Sequence, residues 1–114
     1  MNNFVLSYNC VAPNHSEGKL LNHVQYNRLV EQYYQPFIGT YFIKSVAATS
    51  ALGASFRGFF EAIPFFLVDF NSWHAAGAMP PEIWTWLNHG QVPPPPPTAP
   101  PALGNGFMES WKPK

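Results

Sequence analysis

Between Lys44 and Arg57 the chain runs through twelve residues without a charge, and small and bulky side chains there recur at helical spacing. On a wheel of 3.6 residues per turn, Ala47, Ala51, Ala54 and Gly58 share one narrow stripe, while Leu52, Phe56, Phe59 and Ile63 share another. The pattern predicts a helix over 37–63 with one small face and one bulky face. Small residues let a second helix backbone come close, so Ala47, Ala51, Ala54 and Gly58 are expected to form a helix-packing interface. A tightly packed soluble helix pair uses the same residues. Twelve uncharged residues are too few to cross a bilayer, which takes about 20. Extending the segment to Val68 encloses Arg57 and Glu61, which four-residue spacing would let pair on one helix face.

The rest of the chain is as poor in charge as this segment. Only 11% of its 114 residues are charged and 17% are aromatic, whereas a free-standing domain carries about 25% charge. A surface with so little polar cover is expected to face protein or lipid. The formal net charge is zero and the six basic residues are scattered, which argues against nucleic acid as a partner. Cys10 is the only cysteine, so intramolecular disulfides and zinc frameworks of paired cysteines are excluded. Met1 to Ala12 has neither the basic nor the long apolar region of a secretory leader, which points to an unsecreted chain.

Before the apolar segment, Phe4 to Tyr8 suits a short extended piece, and Pro13, Asn14, Ser16 and Gly18 mark a turn with a helix cap. Tyr26, Leu29, Val30 and Tyr33 fall on one helical face, predicting a helix over 19–35 that Pro36 ends. After it, Pro80, Pro81 and Glu82 open a third helix, over 81–88, because proline suits a first turn and glutamate its dipole. Val92 to Pro101 is a proline run that reads as an extended rod. The fold class expected is therefore mainly α: two to three helices without a self-contained core. An extended segment (1–18) would precede a helical body (19–90), and a proline-rich arm (91–114) would follow. Trp73, Trp84, Trp86, Phe107 and Trp111 are the expected interface anchors, since buried aromatics carry much of the energy of an interface.

No catalytic, cofactor-binding or metal-binding set is legible. His15, His23, His74 and His89 fall at no metal-ligand spacing, the six carboxylates are dispersed, and phosphate loops and nucleophile elbows are missing. An enzyme is not expected. The P-x-x-P spacings fit ligands of SH3, WW or EVH1 domains, but no basic residue flanks them, so a spacer or arm suits them better.

The string Leu29-Val30-Glu31-Gln32-Tyr33-Tyr34-Gln35-Pro36-Phe37-Ile38-Gly39 is similar to a short stretch in helical domains of bacterial primosome proteins, over eleven residues of 114. The neutral charge argues against the DNA binding that such a likeness implies. The reading that absorbs most features is a non-catalytic accessory subunit of a large multiprotein assembly, associated with an energy-transducing membrane of respiratory or photosynthetic type. Its partners would be other protein subunits and a lipid bilayer. The alternatives are a self-assembling virion or filament protein and a soluble adaptor presenting its polyproline run.

Overall fold

Alternate residues of Asn2–Tyr8 suit two different surroundings: Phe4, Leu6 and Tyr8 turn to one side, Asn3, Val5 and Ser7 to the other. In the computed structural model, which describes residues 1–93, this segment is strand β1 and lies inside a four-stranded antiparallel sheet. Strand β2 (Gln32–Phe37), β3 (Thr40–Ser45) and β4 (Phe65–Phe70) complete the sheet in the order β2-β3-β1-β4. Helix α1 (Glu17–Tyr26) joins β1 to β2, and helix α2 (Thr49–Phe60) joins β3 to β4. This βαββαβ order is the split-βαβ, or ferredoxin-like, topology. A 3-10 turn (Ser72–His74) and helix α3 (Pro81–Asn88) follow it.

The mainly α expectation is therefore overturned. Two strands, β2 and β3, stand where two long helices were expected. The spacing of Tyr26, Leu29, Val30 and Tyr33 imitates a helical face, yet α1 stops at Tyr26 and Tyr33 lies on β2. Asn27 causes the stop: it leaves the helical region and its Oδ1 accepts from the Leu29 amide at 2.9 Å, a turn that competes with the helix. The stretch similar to primosome helical domains is accordingly loop and strand. The expected helix over 37–63 is split by Gly39, whose φ of 101° closes the β2–β3 hairpin. Thr40–Ser45 then follows as a strand, rich in the aromatic and β-branched residues that fit a pleated surface.

The chain also has a core of its own. Phe4, Leu6 and Tyr8 of β1 and Tyr41 and Ile43 of β3 meet Leu20 and Val24 of α1 and Leu52, Phe56 and Phe60 of α2. Burial of so many large apolar side chains is the main stabilising term, at about 1.5–3 kcal/mol each for the aliphatic and phenyl groups. Ser16 caps α1, its Oγ accepting from the Lys19 amide at 3.3 Å. Helix α3 spans the residues expected of it, with Pro81 and Glu82 in its first turn. It lies against the sheet face opposite α1 and α2, where the Asn3 amide donates to the Leu87 carbonyl at 2.6 Å. No helix among the described residues is long and apolar enough to cross a membrane.

Candidate interaction surface

Both ends of an open sheet present unpaired backbone groups, and the two ends here are built differently. The β2 edge contains Pro36 and a register shift between Tyr34 and Phe37, two devices that keep a further strand from pairing. The β4 edge, Phe65-Phe66-Leu67-Val68-Asp69-Phe70, has a continuous register with β1, no proline and one charge. Asn9 donates to the Pro64 carbonyl at 3.1 Å, and alternation along an antiparallel ladder then turns Phe66, Val68 and Phe70 toward β1. Phe65, Leu67 and Asp69 carry the outward N–H and C=O groups. Phe66 and Val68 are 60% and 42% exposed on the sheet's open face.

The open face is partly roofed by α3 and the segment before it. Val5, Phe42 and Phe70 of the sheet face Ala75, Ala76, Met79, Trp84 and Leu87 across an apolar cleft of about 240 Å³. Trp84 and Trp86, expected as anchors for partners, are engaged with the chain's own sheet. Trp84 lines this cleft, and the Trp86 indole donates to Gln32 Oε1 at 2.7 Å with Lys44 Nζ 5.1 Å from its ring. Trp73, in the 3-10 turn, is 43% exposed. Phe107, Trp111 and the proline run from Pro94 onward lie outside the described residues.

The small-residue stripe does not face another helix among the described residues. Ala51, Ala54 and Gly58 lie exposed on α2, Ala47 precedes the helix, and the bulky stripe of Leu52 and Phe56 enters the core. The two helices meet instead through a polar staple. Asn27 Nδ2 donates to Ser55 Oγ at 2.7 Å, and His23 Nε2 stands 3.3 Å from the same oxygen. Burial holds the His23 imidazole below its ordinary pKa. Nor do Arg57 and Glu61 pair: the only ion pair among the described residues is His15 with Glu17. Helix α2 ends at Phe60, and Glu61 turns away with a φ of 52°.

Sequence reasoning missed two polar clusters, because each assembles residues remote in the chain. At one end of the sheet, the Tyr8 hydroxyl donates to Glu17 Oε1 at 2.7 Å and accepts from Gln35 Nε2 at 3.1 Å and the Gly39 amide at 3.2 Å. His15 Nε2 lies 2.7 Å from the same carboxylate oxygen. Burial raises the Glu17 pKa, but the bonds from Tyr8, His15 and Gln35 outweigh it and hold the carboxyl below its usual range. A carboxylate–imidazole pair can relay a proton, yet the His15 side chain is 2% exposed and its Nδ1 is buried without a partner. The rings of Tyr8 and Phe60 pack on it at 5.0 and 6.4 Å. At the other end, the Lys44 ammonium is buried against Asn3 and the last carbonyls of α3. No group of three potential metal ligands occurs among the described residues. Among family models, curated proteins and solved structures, nothing matches this chain.

Proposed function

We propose that this chain is a non-catalytic structural subunit of a multiprotein assembly, joined to a partner chain along the free edge of β4. One observation carries the reading. The β4 edge is six residues long, keeps an unbroken register and lacks the proline and bulge that protect the β2 edge. Unprotected edges of this kind invite another strand, and the exposed Phe66 and Val68 beside it would lose water on pairing. The scarcity of charge over the whole chain supports the same reading. In an energy-transducing membrane complex, the setting expected from the sequence, the described residues would sit peripherally, since none of their helices can cross the bilayer.

The test uses the native chain at its natural level. Phe66→Lys and Val68→Lys place charges beside the edge without entering the core, so folding by circular dichroism is expected to persist. On a sizing column the wild-type chain is expected to elute within a larger complex, and the double variant as a free chain. Elution of the wild type as a free 12.8 kDa chain would overturn the reading. Association of purified chain with itself, lost in the double variant, would instead favour the self-assembling alternative.

A further inference from the structure

We infer that the groove between α2 and the free edge of β4 takes an extended peptide segment as an added strand, with an acidic side chain of that segment on Arg57. This rests on the reading of β4 as a partner-binding edge and names the chemistry of what binds there. The groove, of about 470 Å³, is lined by Thr49, Ser50, Gly53 and Arg57 of α2 and by Phe65, Phe66 and Leu67 of β4. The outward backbone groups of Phe65 and Leu67 lie along it, and those of Asp69 continue the same edge beyond it. A strand paired with them would send alternate side chains toward the helix side, over Gly53 and Ser50. Helix α2 leads through a short turn into β4, so Arg57, in its last turn, stands toward the Phe65 end.

Two features make the groove selective. Arg57 is exposed and has no ion-pair partner among the described residues, in a chain with only six basic side chains. A guanidinium in that position matches a carboxylate in both charge and geometry. Gly53 sits inside a helix, where glycine costs about 1 kcal/mol relative to alanine. A Cβ there would meet no atom within 4 Å, so packing within the chain does not require the glycine. Its absence of a side chain keeps the groove open.

A library of random ten-residue peptides displayed on phage, selected on the full chain, tests this. Selected peptides are expected to alternate β-branched or aromatic residues with polar ones and to carry aspartate or glutamate at a fixed place. Their synthetic versions should perturb the amide resonances of Phe65, Leu67 and Asp69. Arg57→Gln should weaken them by about tenfold, the worth of one charge-assisted bond. Gly53→Leu should abolish binding while raising the thermal midpoint, whereas Gly58→Leu, on exposed helix surface outside the groove, should raise the midpoint and leave binding intact. Recovery of no binder, selected peptides without a fixed acidic residue, or equal binding by Arg57→Gln or Gly53→Leu overturns the proposal. If the β4 double variant still releases the native chain from its complex, the edge reading survives that failure.

Discussion

Lys44 Nζ donates to Asn3 Oδ1 at 2.8 Å, a buried ammonium held by a side-chain amide from the neighbouring strand. Lys44 is only 2% exposed, and its other partners are the carbonyls of His89 at 3.1 Å and Leu87 at 3.4 Å. Those carbonyls close α3, so the cation also stands at the negative end of that helix dipole. The contact fastens a helix that lies outside the βαββαβ frame to the open face of the sheet.

Replacing Lys44 with methionine removes the donor and leaves the buried Asn3 Oδ1 unsatisfied, while the Leu87 carbonyl keeps its bond from the Asn3 amide. We expect a loss of about 1–3 kcal/mol in urea unfolding. Detachment of α3 would also expose Trp84 and Trp86, read as a red shift of tryptophan emission. An unshifted spectrum with unchanged stability would show that α3 is held by its apolar contacts alone.

Tyr8 and Glu17 give a second, pH-dependent expectation. With its folded pKa depressed below the ordinary 4.5, Glu17 contributes stability that is present above pH 4.5 and lost as pH falls through the folded value. Tyr8→Phe removes one of the donors that produce the depression. The variant should lose about 1–3 kcal/mol at neutral pH, and its Glu17 carboxyl should titrate nearer the ordinary value. Carbon-detected NMR of the glutamate side chains follows that titration directly, and an unmoved Glu17 would place the cause with His15 and Gln35 instead.

Local rules made parts of this architecture legible and misread others for identifiable reasons. Pro81 and Glu82 announce α3, and the stripe of Leu52 and Phe56 marks the core side of α2, because helix starts and buried faces are written in adjacent residues. The short extended segment expected at Phe4–Tyr8 is the core of a central strand. Strand β2 is hidden because Tyr26, Leu29, Val30 and Tyr33 fit helical spacing by chance, while the competing signal is a turn made by one Asn27 side chain. Strand β3 falls inside the helix expected over 37–63, and only Gly39 marks the turn before it. Lys44 alternates with Tyr41 and Ile43 as a solvent-facing residue would. What buries it arrives more than forty residues later in sequence, and no local pattern announces such a cover. The β4 edge is similarly invisible, since an edge is a property of strand order and not of the strand.

Acid should weaken the contact between the two helices. Burial holds His23 below its ordinary pKa of 6.5, so the unfolded chain takes up the proton first. Stability from this group is present above pH 6.5 and lost as pH falls through the folded value. In His23→Phe, which keeps an aromatic ring against Phe56 and Phe59, that component should vanish. The stability advantage of wild type over variant should therefore shrink on acidification below pH 6.5, measured by urea unfolding at several pH values. A difference that stays constant would show that His23 does not couple protonation to folding.

Glu61 occupies a backbone conformation that suits glycine. Its φ of 52° and ψ of −103° fall near the first central position of a type II′ turn, and the Ile63 amide closes that turn on the Phe60 carbonyl at 2.9 Å. A side chain bearing a Cβ is strained there by about 1–3 kcal/mol. Glycine relieves the strain but enlarges the freedom of the unfolded chain, which returns about 0.4–1 kcal/mol. Glu61→Gly should therefore stabilise the fold by about 1 kcal/mol. Glu61→Ala separates backbone from charge, because alanine removes the carboxylate and keeps the Cβ. If strain is the cause, the alanine variant matches wild type in urea unfolding and only the glycine variant gains. An equal gain in both would assign the effect to removal of the carboxylate, and the backbone would then hold no strain worth relieving.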